Sequence, residues 1–224
     1  MKNDPERFKG YFFGALQVVA GFVTPVILLI AIFSDEVVAL WLGPQWMECA
    51  PLFRLLSLAA LLGAFSNPVG WFLISLDLTK RYRQIGMFSA AVIVTAFALG
   101  LSFGPRGVAV AYSSALCLIT VPVWAWALRG TGIRLQEVLS TLACPLAAGA
   151  MASLLTLTAL KFAGQTMHGI IALFVGASVF CALYAFALLV VFRKWHAFLN
   201  LVRTGRPLDI PMPALFKWGR NPRE

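Results

Sequence analysis

The sequence predicts an all-α membrane protein, a bundle of six transmembrane helices, on three observations. Hydrophobic residues make up 60% of the 224 and charged residues only 12%. A soluble domain averages about 45–50% and about 25%, so the chain has too little polar surface to cover a core in water. The apolar residues gather in six runs, each near or above the roughly 20 helical residues that cross a bilayer. The basic residues fall between those runs, mostly on one side. None of the runs alternates like a strand, and the turns between them are short. Helices are the economical structure, because each satisfies its own backbone in lipid.

The runs follow in order. The first, 10–33, comes after the basic stretch MKNDPERFKG. It exceeds the roughly 7–15 residues of a secretory signal core and no A-x-A site follows it, so it is a retained span. The second, 46–76, is interrupted at Ser66-Asn67-Pro68. A straight helix over that run would be about 45 Å long, against a hydrocarbon core of about 30 Å, and Pro68 bends it. The remaining four are 85–103, 107–128, 138–162 and 169–192. Residues 1–192 are therefore the transmembrane bundle and 193–224 a cytoplasmic tail. In that tail Trp195, Phe198, Leu199 and Val202 recur at helical spacing among Arg193, Lys194 and Arg203, the pattern of a short interfacial helix. Pro207, Pro211, Pro213 and Pro222 make the rest a loose end.

Charge sets the expected orientation. The chain carries +9, and of its 18 Lys and Arg only Arg54, Arg106 and Lys161 lie off the N-terminal segment, the second and fourth loops and the tail. The positive-inside rule puts those regions, and both termini, in the cytoplasm. Basic residues scattered this way face membrane lipids; they form no single patch for nucleic acid. The first outward loop, 34–47, has Trp41 and Trp46 at the level of the membrane–water interface, with the Gly43-Pro44 turn between them. Asp35 and Glu36 sit there in water or headgroups, and residues 35–42 are expected as a short surface helix.

Catalytic patterns are missing. His168 and His196 have no carboxylate or cysteine beside them, and Asp77 and Glu137 are isolated. No HExxH, GxSxG, P-loop or dinucleotide fingerprint occurs. The expectation is therefore no enzyme, no cofactor and no metal. Cys49, Cys117, Cys144 and Cys181 lie in or beside apolar runs without paired spacing, and are expected as buried free thiols.

Three polar residues inside the spans are the candidate substrate contacts. Arg54 lies about two turns into the second span, where a charge is costly. Either it snorkels to the outer headgroups, or it faces a wet cavity and meets an anion such as a diphosphate. Asn67, beside Pro68, lines a cavity or satisfies the carbonyl that the proline frees. Gln17, upstream of Pro25 in the first span, wants a partner helix or water. Ser113, Ser114, Cys117 and Thr120 give the fourth span a small polar stripe, and residues 143–153, ACPLAAGAMAS, read as a helix-contact face.

Taken in order, these segments resemble a known family. The stretch DEVVALWLGPQWMECA, then PLFRLLSLAALLGAFSNPVGWFLISLDLTKRYRQ, then GPRGVAVAYSSA is similar to the C-terminal part of bacterial polysaccharide (lipid-linked oligosaccharide) flippases. Their superfamily also holds the multidrug extrusion transporters. The matching positions are Leu42-Gly43, Trp46, Ala50, Leu52-Phe53-Arg54 and Gly104 to Ala111. The usual Gly-Arg after the second span is replaced here by Asp77-Leu78-Thr79-Lys80-Arg81. The resemblance implies a six-span bundle matching the C-terminal half of a two-lobed flippase. It further implies a basic and polar cavity between lobes, through which the sugar head of a polyprenyl-diphosphate lipid crosses. The partners implied are the lipid-linked oligosaccharide and a missing N-terminal lobe or second chain. Arg54 is then the first contact for the sugar-diphosphate, followed by Asn67 and Gln17. A drug or cation antiporter of the same superfamily is the alternative, although no carboxylate lies well inside a span; a non-transporting, truncated membrane scaffold is another.

Overall fold

A computed structural model describes residues 5–162 and 170–192, with side chains over 9–159 and 173–188. The described residues form seven α-helices: α1 (Pro5–Ile32), α2 (Ser34–Trp41), α3 (Ala50–Ser75), α4 (Thr79–Leu101), α5 (Gly104–Ala127), α6 (Leu135–Phe162) and α7 (Ile170–Phe192). A 3-10 turn, Pro44–Cys49, joins α2 to α3. No strand occurs among the described residues. Among the described residues, five helical stretches are long and apolar enough to cross a membrane: Lys9–Ile32, Pro44–Ser75, Thr79–Leu101, Gly104–Ala127 and Leu135–Ala159. In α7 the described side chains cover the apolar stretch Leu173–Leu188. Five crossings thus follow from length and composition, and the sixth rests on the sequence. The protein is a helical, multi-pass membrane bundle. The tail helix expected at residues 195–202, and both histidines, lie outside the described residues.

The element bounds differ from the apolar runs for physical reasons. The third run begins at residue 85, yet α4 starts at Thr79, because its first turn is the basic sequence Lys80-Arg81-Tyr82-Arg83. A hydropathy pattern misses such a turn. The surface helix expected over 35–42 is α2, which starts at Ser34. The helix of the second run starts at Ala50 with Pro51 in its first turn, where a missing N–H costs nothing.

α1 is the hub, packing on α3, α6, α7 and α2; α3 packs in turn on α5 and α4, and α4 pairs with α5. Two apolar cores follow. The larger gathers Phe12, Leu16, Phe65, Phe72, Trp124 and Val138 with their neighbours, near the basic end of the bundle. There the Phe12 and Phe72 rings lie 4.6 Å apart. The smaller is built from α6 and α7 with small residues, Ala148, Ala152 and Ala187, around Phe180 and Tyr184, against Leu28, Leu29 and Ile32 of α1. Of residues 143–153, expected as a contact face, Pro145, Ala148, Gly149 and Ala152 are buried, while Ala143, Leu146, Ala147, Ala150 and Met151 are exposed, so one stripe of the segment makes the contact. A Cβ on Gly149 would come within 2.5 Å of Leu28 and 3.0 Å of Thr24. The α4–α5 turn shows why GPRGVAVA is spaced as it is. A Cβ on Gly100 or Gly107 would fall 2.7 Å from the Val108 Cα and 2.3 Å from the Phe103 Cβ, respectively. Side chains there would force the two helices apart.

Most side-chain hydrogen bonds stay within one helix or turn, and a few join one helix to another. Arg81 donates from Nη1 to the carbonyls of Ala127 and Arg129, capping the end of α5. Trp124 Nε1 donates to Ser66 Oγ at 3.1 Å, and Ser66 passes its own proton to the Leu62 carbonyl. Ser113 Oγ donates to the Leu55 carbonyl at 2.9 Å. Of the predicted polar stripe, Ser113 and Thr120 are buried while Ser114 and Cys117 are exposed, so the four do not share one contact face. No disulfide joins the cysteines among the described residues, and the expectation of burial is corrected: Cys117 and Cys181 are exposed and the other two only half-buried. An apolar run marks residues for lipid as readily as for a core, and in a bundle with a lipid-facing surface the two are indistinguishable by hydropathy.

Asp77 closes α3 in the left-handed region, with φ 61°. Leu78 N–H reaches back to the Leu73 carbonyl at 2.9 Å, as a helix-ending αL residue permits. Glycine is the ordinary choice there and aspartate one of the few tolerated substitutes. That tolerance accounts for Asp77 following the second span here.

Candidate functional site

The turn between α1 and α3 builds the most chemically distinctive place among the described residues. α1 ends at Ile32 and the chain bends at Phe33, whose ring is buried. α2 then packs on α3, with Ser34 fully buried at its start and Asp35 and Glu36 in its first turn. Acidic groups are favourable at that end of a helix. Leu42, Gly43 and the Pro44–Cys49 turn bring the chain back into α3, with Gly43 at φ 92°. Trp41, 81% exposed, and Trp46, 52% exposed, flank that turn on the surface, where an amphipathic ring suits a membrane–water boundary.

Arg54 lies in the first turns of α3 and reaches across to this elbow. Its Nη2 donates to Ser34 Oγ and to Asp35 Oδ2, both at 2.8 Å. The ion pair is open to its surroundings, the two side chains being 52% and 53% exposed. Neither sequence alternative for Arg54, headgroup or substrate, includes this partner. The arginine is close to the helix start rather than deep in it, because the run's first residues form the 3-10 turn. Beside it, Ile27 and Ile30 of α1 and Phe53, Leu56, Ser57 and Ala60 of α3 line an open apolar groove of about 260 Å³.

Asn67 and Gln17 are placed differently. Asn67 is exposed, on the stripe of α3 that also carries Phe53, Leu56, Ala60 and Gly63. Gln17 is half-buried on α1. Neither has a hydrogen-bond partner among the described residues, so Asn67 does not satisfy the carbonyl freed by Pro68. Along α3, Arg54 and Asn67 are about 20 Å apart and roughly 140° around the axis. The three candidates are therefore not drawn together within this chain.

Two contacts were not anticipated. Asp35 is one; it looked solvent-facing because its partner is 19 residues away, on the next long helix. Tyr184 is the other. Pro25 has no N–H, so the carbonyl four residues earlier, that of Gly21, loses its helical donor. The Tyr184 hydroxyl, from α7, donates to that same Gly21 oxygen at 3.0 Å. Pro25 signals in the sequence that a donor is needed, but not which helix provides it. Thr24 and Thr156 are buried with hydroxyls that have no hydrogen-bond partner among the described residues.

Among the described residues, no three of His, Cys, Asp and Glu come together. What the elbow offers is recognition: a cation with unused donors at a boundary, over an apolar groove.

Residues 1–51, which span α1, α2 and the 3-10 turn, match the family described as "Polysaccharide biosynthesis protein". The chain is similar to the "Lipopolysaccharide biosynthesis protein WzxC" of Escherichia coli (strain K12), 25% identical over 100 residues, 45% of this chain and 20% of that protein. It is also similar to an "Uncharacterized membrane protein in cps region" of Klebsiella pneumoniae, 28% identical over 88 residues, 38% of this chain and 18% of that one. The matched part thus spans about a fifth of each relative's length. No solved structure matches. These likenesses support the resemblance to the polysaccharide-biosynthesis flippases, and a role in polysaccharide biosynthesis or export at a membrane.

Proposed function

We propose that this chain is part of a transporter that flips polyprenyl-diphosphate-linked oligosaccharide across the bacterial inner membrane. Both termini and the basic end of the bundle face the cytoplasm, and the α1–α2–α3 elbow faces outward. A second lobe, from a preceding segment or a separate chain, completes the cavity. Arg54 is the contact for the diphosphate, since a guanidinium suits phosphoryl oxygens. The apolar groove beside it suits the hydrocarbon side of the same ligand. Asn67 and Gln17, both without hydrogen-bond partners among the described residues, provide further polar contacts along the path of the sugar head.

The observation that carries the reading is the match over residues 1–51. It ends three residues before Arg54 and contains Ser34 and Asp35, the two side chains that hold it. The experiment is deletion of the reading frame in its host, followed by assay of surface polysaccharide and of lipid-linked oligosaccharide in isolated membranes. The expected result is loss of polymer with accumulation of the lipid-linked precursor. Unchanged polymer and no accumulation contradict the reading.

A further inference from the structure

We infer that Asp35 regulates the Arg54 site: its carboxylate holds the guanidinium in the absence of ligand and yields it to the diphosphate group of a lipid. This rests on the function proposed above, which supplies the anion.

The argument is one of hydrogen-bond geometry. A planar guanidinium offers two edges that grip an oxyanion with paired N–H donors. One edge joins Nε to Nη2 and the other joins Nη1 to Nη2, so Nη2 belongs to both. Here Nη2 donates to Ser34 and to Asp35, each at 2.8 Å, which uses both of its hydrogens. Nε and Nη1 have no acceptor among the described residues. A phosphoryl oxygen can thus take one bond from Nε or Nη1 with the pair intact. A two-point grip requires that one partner of Nη2 leave. Ser34 is fully buried at the base of α2 and has nowhere to go. Asp35 is half exposed and can turn into water. Asp35 is therefore the group displaced.

The exchange works in both directions. Ion pairs this exposed are weak, so a diphosphate, which carries more charge than a carboxylate, displaces Asp35 easily. Once displaced, Asp35 remains next to the bound anion and repels it. The carboxylate then reclaims Nη2 as the ligand departs. Asp35 weakens the hold and speeds release, which suits a site that must let its ligand go.

The test is titration of farnesyl diphosphate into the full chain in phosphatidylcholine nanodiscs, read by calorimetry. Asp35→Asn should bind roughly threefold to tenfold tighter than the unmodified chain, the scale of one like-charge neighbour removed from a half-exposed site. Asp35→Glu should return affinity to near the starting value. Arg54→Ala should bind weakly, and adding Asp35→Asn to it should bring no gain. If Asp35→Asn lowers the melting temperature of the chain, Asp35→Ser removes the same charge and should show the same gain. A merely structural Asp35 would weaken binding when replaced. Weaker or unchanged binding in the asparagine and serine variants, with Arg54→Ala still impaired, overturns the role of Asp35 and leaves the Arg54 reading intact. Full binding by Arg54→Ala overturns both.

Discussion

The elbow at Arg54 and the kink at Pro25 both use a polar contact to hold helices together in an apolar bundle, and they do it in opposite ways. At the elbow the contact is ionic, joins α3 to α2, and is half open to its surroundings. At the kink it is neutral, joins α7 to α1, and comes from a tyrosine that is only 5% exposed. A buried hydroxyl that satisfies a freed carbonyl has no competitor, so it is a fixed joint. A charged pair at a boundary meets water, ions and headgroups, so it is an exchangeable one. The kink is thus a fixed joint inside the bundle, and the elbow an exchangeable one at its boundary.

The largest expected effect comes from the residue that links the two regions. Phe33 sits at the elbow, and a Cβ on Gly176 of α7 would lie 2.4 Å from its ring. The ring is only 2% exposed and cannot swing clear. Gly176→Ala should therefore destabilise the bundle by about 1–3 kcal/mol, the ordinary range for overpacking, read as a fall in melting temperature in detergent. A neutral Gly176→Ala would mean that elbow and α7 are not in contact. Next is Tyr184→Phe, which leaves the Gly21 carbonyl without its donor and should cost about 1 kcal/mol, equally at low and high salt. A loss that shrank with salt would contradict a neutral, buried joint. The smallest is Arg54→Ala, expected to cost less than about 1 kcal/mol and to lose even that at high salt. A large, salt-independent cost would make Arg54 a fixed joint as well and erase the distinction.

How much of this was legible in the sequence follows the same division. The apolar helices were, because crossing a bilayer imposes both a length and a composition. The elbow was legible in part: Gly43-Pro44 between Trp41 and Trp46 announces a turn at a boundary, and α2 falls within one residue of its expected start. The pairing of Asp35 with Arg54 was not, since it depends on how α2 packs on α3, which no local pattern encodes. The Tyr184 contact spans 163 residues. Pro25 marks the acceptor, but the Tyr184 hydroxyl in an apolar helix gives no sign of where it points. Arg54, Asn67 and Gln17 stood out as polar residues in apolar runs. That signal finds unusual residues and says nothing of their mutual distance, which is why the structure leaves them apart.

Both halves of the comparison presuppose that the elbow meets water on the face of the membrane opposite the basic end. Gln45→Cys and Arg83→Cys, each made in a cysteine-free background, report this with a membrane-impermeant maleimide applied to intact, outer-membrane-permeabilised cells. The arrangement described here predicts labelling at residue 45 and protection at residue 83 until the inner membrane is opened. Labelling at 83 with protection at 45 would turn the bundle over and place Arg54 and Asp35 on the wrong side for release.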